Sequence, residues 1–190
     1  IREMGFPVFH GGIGPLDTRG RARMMAIDVP TECGGVRVAA GDIVFGDTGW
    51  QDYAAVPAKH LTKMPRMEPM AHLLSVYGIA GLTAYFGLLE DGRPQAGETL
   101  LVSGAAGAVG SVVGQIGKIM GCRVIGIAGG AEKCRRLVSD YGFDVAIDYK
   151  GKDVAALAAE IARHAPDGVD IVFENVGGDV LDAELMNLAM

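Results

Sequence analysis

Residues 101–118 read LVSGAAGAVGSVVGQIGK. Apart from Val109, every position from Gly104 to Gly110 is glycine or alanine, and the stretch then turns into an apolar helix pattern. Side chains thinned this far, where a strand hands over to a helix, imply that something comes close to the backbone. A G-x-G-x-x-G turn at such a junction lets a dinucleotide pyrophosphate reach the main chain. Here the aligned positions are Ala105, Gly107 and Gly110, with alanine in the first place. On that reading Gly107 admits the pyrophosphate and Gly110 lets the helix pack closely on the sheet. The free N–H groups around Ala108 to Gly110 then face the phosphate charge. The same spacing also fits a corner of small residues made for packing alone.

The flanking sequence alternates strand and helix signals. Thr99–Ser103 is a short β-rich run, and Ala108–Met120 carries Val109, Val112, Val113, Ile116 and Ile119 at helical spacing, with Gly121 as its stop. A strand over Cys122–Ile127, a helix over Ala131–Tyr141 and a strand over Val145–Asp148 are expected next. They are followed by a helix over Asp153–His164 capped by Asp153, a Pro166-Asp167-Gly168 turn and a fourth strand over Val169–Glu174. Nearly all-apolar strands in this rhythm predict an α/β fold with a doubly wound, Rossmann-type parallel sheet. That context favours the phosphate reading of the turn. Upstream, Glu68–Glu90 reads as one or two helices broken near Gly78 and Gly81, and residues 1–60 as short β-like runs. The expected division is a small β-rich segment over 1–48, a connecting region over 49–97 and a partial nucleotide-binding domain over 98–190.

A hydrophobic content of 49% with 21% charged residues suits a globular protein with a filled core, and the formal charge of −6 argues against nucleic acid or an anionic membrane as partner. No apolar run approaches the roughly 20 residues of a membrane span. Ile1–Pro7 lacks the features of a secretory signal, so a cytoplasmic location is expected. The opening on Ile1 instead of methionine suggests a fragment. Cys33, Cys122 and Cys134 are widely spaced, and His10, His60, His72 and His164 show no ligand spacing, so no metal site is expected.

Which dinucleotide is favoured depends on the end of the second strand, where an NAD site places an acid for the ribose hydroxyls. In RVIGIAGGAEKCRR that place holds Ala128, Gly129 and Gly130, followed by Lys133. The missing carboxylate and the lysine favour the 2′-phosphate of NADP(H), with Glu132 as an objection unless it points away. Lys133 also reads as an ordinary solvated helix residue.

The stretches GIAGLTAYFGLLEDGRPQAGETLLVSGAAGAVGSVVGQIGKIMGCRVIGIAGGAEKCRRLVSDYGFDVAIDYK and GVDIVFENVGGDVLDAEL, with GDIVFGDTGWQDYA before them, resemble the medium-chain dehydrogenase/reductase superfamily. Within it they are most similar to the zinc-independent, NADP-dependent alkenal double-bond and prostaglandin reductases. The resemblance covers about residues 41–190. It implies that Gly107, Ala108, Val109 and Gly110 line the pyrophosphate, that Lys133 and Tyr149 hold the 2′-phosphate, and that Asn175 lies beside the cofactor. A strand-end aromatic and a turn residue are the plain readings of Tyr149 and Asn175. The implied activity is reduction of activated C=C bonds in enals or enones, or of quinones, with a small-molecule substrate and a homodimeric assembly. No catalytic residue is assigned; Trp50 and Tyr53 are candidates only for lining a pocket. The family's last strands, its later active-site tyrosine segment and most of its GroES-like domain are not in this sequence. Residues 1–48 instead resemble the C-terminal part of the 4-hydroxy-4-methyl-2-oxoglutarate aldolase and ribonuclease-E-regulator-like family, without its Arg-Asp metal motif. Two further readings therefore stand beside the reductase: a metal-dependent oxo-acid aldolase or decarboxylase fragment, and a non-catalytic nucleotide-binding fragment.

Overall fold

The computed structural model describes residues 31–33, 36–38, 42–46 and 56–189. The chain divides into two compact units, residues 1–70 and 71–190. In the first unit, β1 (Thr31–Cys33) pairs antiparallel with β2 (Val36–Val38), and β3 (Ile43–Phe45) pairs antiparallel with β4 (Thr62–Met64). Ile43 stands opposite Met64, and Asp42 bonds Lys63 across this ladder at 2.8 Å. Trp50, Tyr53 and most of the aldolase-like segment lie outside the described residues.

The second unit opens with α1 (Ile79–Phe86), which runs into a π-helical turn over Gly87–Gly92. The expected break falls where α1 starts: Gly78 is its N-cap, whereas Gly81 lies inside it. A Cβ on Gly81 would lie 1.8 Å from the Val76 carbonyl oxygen, so only glycine lets the incoming chain cross there. Then follow β5 (Thr99–Val102), α2 (Ala108–Ile119), β6 (Arg123–Ala128), α3 (Ala131–Ser139), β7 (Val145–Asp148), α4 (Val154–His164), β8 (Ile171–Phe173) and α5 (Gly178–Leu185). The four strands β5–β8 form one parallel sheet in the order β7-β6-β5-β8. This is the Rossmann-type arrangement that the alternating pattern predicts. The strand order reverses beside β5, and an open sheet of this kind has its crevice there, beyond the carboxyl ends of the strands.

Strand alternation builds two cores, because successive side chains point to opposite faces. Leu100, Val102 and Val124 pack with Ala84 of α1, Val113 of α2, Leu137 of α3 and Phe143. Leu101, Ile125, Ile127 and Ile147 pack on the other face with Leu157 and Ile161 of α4 and Val180 and Ala183 of α5. Each such large aliphatic side chain, fully buried, contributes about 1.5–3 kcal/mol. The result is a sheet between two helical layers.

Three expectations need correction. Helix α2 does not bury its valine and isoleucine stripe evenly: Ile119 is 81% exposed, and the buried face is Gly110, Val113, Gly114 and Gly117. A Cβ on Gly114 would enter the Phe143 ring at 1.9 Å, and one on Gly117 would meet Leu100 at 2.5 Å, so the helix sits closer to the sheet than any larger residue permits. The fourth strand is Ile171–Phe173, shorter than Val169–Glu174, because Val169 turns to Leu188 in a parallel bridge. Val169 N–H donates to Asn187 O at 2.8 Å, and Ala189 N–H donates to Val169 O at 2.9 Å. Helix α3 ends at Ser139, two residues before the expected Tyr141. Asp153 does cap α4, its carboxylate accepting from Ala156 N–H at 2.8 Å.

Candidate functional site

The carboxyl ends of β5, β6, β7 and β8 bring three turns together. After β5 the chain bends at Gly104, whose φ of +53° is left-handed. Glycine alone takes that conformation without steric cost. The tight-turn role thus falls on Gly104, one residue before the Ala105 position of the aligned motif. Ala105 is wholly buried, and its N–H donates to Ile127 O at 3.0 Å, tying the turn to β6. Gly107 N–H donates back to Gly104 O at 2.8 Å and closes the bend.

Helix α2 begins at this bend with Gly107 as its N-cap and no side-chain capping bond. The first turn closes when Ser111 N–H donates to Gly107 O at 3.1 Å. The N–H groups of Ala108, Val109 and Gly110 precede that bond and have no partner within the helix. Gly107 and Ala108 are exposed, Val109 is half-buried and Gly110 is buried. A Cβ on Gly110 would lie 2.6 Å from Gly104 O and 2.7 Å from the Ala105 Cα, whereas one on Gly107 meets only Gly104 O, at 3.0 Å. Gly110 therefore sets how closely the helix meets its own turn, and Gly107 leaves room towards solvent.

The second turn follows β6. Gly129 lies under Tyr149, and a Cβ there would come within 3.0 Å of the ring and its hydroxyl. Lys133 stands exposed on the first turn of α3, with no hydrogen bond or ion pair among the described residues. Glu132 is turned to Arg135 at 2.6 Å, and that bond holds its carboxyl below the ordinary range. Its charge is thereby matched by Arg135. Lys150, which the sequence reading did not single out, places its Nζ 3.7 Å from where a Gly130 Cβ would be. Asp148 accepts from Gly130 N–H at 2.8 Å and Lys150 N–H at 3.0 Å, and these bonds lower its pKa. The acid near this turn is thus tied to main chain, while two lysines surround it.

The third turn follows β8. Asn175 Nδ2 donates to Ser103 O at 2.9 Å and Asn175 N–H donates to Ser103 Oγ at 2.8 Å. Asn175 therefore sits against the glycine turn, with its Cβ 3.4 Å from a Cβ built on Gly104. A cavity of about 440 Å³ opens between the second and third turns, lined by Tyr149, Lys150, Lys152, Asp153, Gly177 and Asp179 among others. The structure thus brings Gly107, Ala108, Val109, Gly110 and Asn175 to one corner, and Lys133 and Tyr149 to the neighbouring one. Among the described residues no group of three His, Cys, Asp or Glu side chains is arranged to hold a metal.

A family model described as zinc-binding dehydrogenase matches residues 108–189. The NADPH-dependent curcumin reductase of Escherichia coli is 43% identical over 90% of this chain and 54% of its own length. The 2-alkenal reductase (NADP(+)-dependent) of Nicotiana tabacum is 44% identical over 84% of this chain and 46% of its own. The crystal structure of CurA from Vibrio vulnificus in complex with NADPH superposes with a TM-score of 0.73 at 47% identity, over 81% of this chain and 45% of that one. The C-terminal part of the chain belongs to the medium-chain dehydrogenase/reductase superfamily. The chain spans about half the length of these relatives. Residues 1–49 match a different family model, Aldolase/RraA.

Proposed function

We propose that this chain supplies the NADP(H)-binding part of an oxidoreductase that reduces the activated C=C bond of enals or enones, or quinones, by hydride transfer. The carrying observation is the start of α2, where the first-turn N–H groups have no side-chain cap and Gly107 and Ala108 are exposed, at the point of strand-order reversal. Helix N-termini of this kind bind phosphate through free N–H groups and the helix dipole. Gly107, Ala108, Val109 and Gly110 would hold the pyrophosphate. Lys133 and Tyr149, with Lys150 beside them, would hold the 2′-phosphate, and Asn175 would border the cofactor. A side chain on Gly129 would press on the Tyr149 ring at about 3.0 Å, so an acid for the ribose hydroxyls there would have to displace the tyrosine.

The fit favours NADP(H) on the chain's own residues: Lys133, which makes no ion pair among the described residues, Lys150 beside it, a tyrosine hydroxyl, and an acid whose carboxylate is engaged by main-chain N–H groups. Bound NADPH would supply the hydride. The protein's part is to fix the dinucleotide's phosphates and so set where its reactive ring lies. Relatives described as NADPH-dependent curcumin reductase and 2-alkenal reductase support this chemistry. The division into residues 1–48, 49–97 and 98–190, a homodimeric assembly and a cytoplasmic location belong to the same proposal. Titrating the chain with NADPH and with NADH by nicotinamide fluorescence tests it. NADPH is expected to bind more tightly; equal affinities would remove the 2′-phosphate assignment, and absence of binding would remove the whole reading.

A further inference from the structure

Helix α5 carries Val180, Ala183 and Glu184 on its buried face. Glu184 is completely buried, and neither carboxyl oxygen receives a hydrogen bond from a donor among the described residues. Its neighbour is Glu174, at the end of β8, close enough that a proton on one carboxyl would bond it to the other. Two carboxylates cannot hydrogen-bond to each other without a proton. As an anion Glu184 has no partner; as an acid it has one.

Glu174 is placed to be the charged member. It accepts from the Ser103 hydroxyl and from the N–H groups of Val176 and Gly177. Ser103, itself completely buried at the end of β5, receives Asn175 N–H on its hydroxyl and the Asn175 amide on its carbonyl. One carboxylate therefore fastens the whole turn from Asn175 to Gly177 onto the strand that leads into Gly104. Other charges nearby are engaged elsewhere. On α4, which packs against α5, Glu160 takes both Lys152, at 3.1 Å, and Arg163, at 3.6 Å, and Arg163 also meets His164. Asp179 and Asp182 of α5 face solvent. Among the described residues, the charge that acts on Glu184 is that of Glu174.

We propose that Glu174 and Glu184 share one proton, and that this protonated pair is the positioning device that holds the Asn175–Gly177 turn against the glycine turn. The link from the pair to cofactor binding rests on the NADP(H) reading above. Ionising Glu184 places two negative charges in contact, one of them sealed from water, so Glu174 must move and release Val176, Gly177 and Ser103. Burial and the Glu174 charge push the Glu184 carboxyl up to about 9, so release belongs to alkaline solution.

The test compares the parent with Glu184→Gln, whose amide can donate to Glu174 at any pH, and with Glu174→Ala, which removes the acceptor of the turn. Urea unfolding and NADPH titration are run for each from neutral pH to one unit above the expected midpoint. The parent is expected to lose stability relative to Glu184→Gln as pH rises. Its NADPH dissociation constant is expected to rise about tenfold over that of Glu184→Gln at the upper limit, since about a tenth of the sites then keep the proton. Glu174→Ala is expected to lose affinity at every pH. Parallel stability profiles for the parent and Glu184→Gln would overturn the shared proton. Diverging stability with parallel NADPH affinities would overturn the positioning role. Failure of every variant to bind NADPH would refute the cofactor reading and its link to the pair, while the unfolding comparison would still decide the shared proton.

Discussion

Replacing Gly107 and Gly110 separately distinguishes a phosphate cradle from a corner packed for its own sake. A Cβ at Gly110 meets three backbone atoms of the turn, Gly104 O at 2.6 Å, the Ala105 Cα at 2.7 Å and the Gly104 carbonyl carbon at 3.0 Å. None of these is the end of a flexible side chain, so the helix must lift from its turn. Alanine in place of glycine inside a helix ordinarily gains about 1 kcal/mol. Overpacking of this kind costs about 1–3 kcal/mol, enough to cancel or reverse that gain. At Gly107 the only obstacle is Gly104 O at 3.0 Å, and the position is exposed. Gly107→Val forfeits the glycine cap, a cost of about 1 kcal/mol in stability. It also fills the space through which phosphate would reach the N–H groups of α2. Each charge-assisted hydrogen bond lost there is worth about 1.5–3 kcal/mol, so losing even one weakens NADPH by roughly 10- to 150-fold. Urea unfolding and NADPH fluorescence on both variants read the two effects separately. Gly107→Val is expected to remain folded and lose the cofactor, and Gly110→Ala to gain nothing in stability. A Gly107→Val chain that binds NADPH as well as the parent would refute the cradle, and a clearly stabilised Gly110→Ala chain would refute the close approach.

Lys133→Ala is expected to weaken NADPH by about 1–3 kcal/mol and leave NADH nearly unchanged in paired titrations, since only the 2′-phosphate meets the lysine. Gly114→Ala, whose methyl would enter the Phe143 ring at 1.9 Å, is expected to destabilise by about 1–3 kcal/mol in denaturant unfolding. In pH-dependent unfolding, Glu184 is raised from 4.5 to about 9, so its contribution is complete below pH 4.5 and is lost as pH rises towards 9, at about 1.4 kcal/mol per pH unit at most. Glu174 is lowered from 4.5 to about 2, chiefly through its hydrogen bonds from Glu184, Ser103, Gly177 and Val176 against an opposing burial effect. Its contribution is present above pH 4.5 and is lost as pH falls towards 2. Stability referenced to Glu184→Gln should therefore decline with rising pH, and a flat difference would contradict this.

The parallel sheet was legible because its strands are near-continuous apolar runs separated by helices with clear start and stop residues. Strand β7 and the Asp153 cap of α4 fall where their local chemistry places them. The motif at Ala105, Gly107 and Gly110 located the turn, but the residue at positive φ is Gly104, because tight bending is a property of backbone angles that residue spacing only approximates. Lys150 was missed since its place beside Gly130 comes from the pairing of β7 with β6, a contact between distant parts of the chain. Glu184 carried a signal that went unread. It lies four residues after Val180 and so shares its helix face, where an acid must find a partner or a proton. Of the stripe assigned to α2, Val113 is in the core and Val109, Val112 and Ile116 pack against it, whereas Ile119 points to solvent because Gly110, Gly114 and Gly117 set the side nearest the sheet.

The central claim is that the start of α2 binds a dinucleotide pyrophosphate. Amide resonances of Ala108, Val109 and Gly110, followed by NMR while NADPH is added, test it most directly. They are expected to shift together and saturate with a single affinity, with Lys133 and Tyr149 moving alongside, whereas NADH moves the first three less at equal concentration. Saturable shifts confined to other parts of the chain, with these three amides unmoved, would contradict the claim.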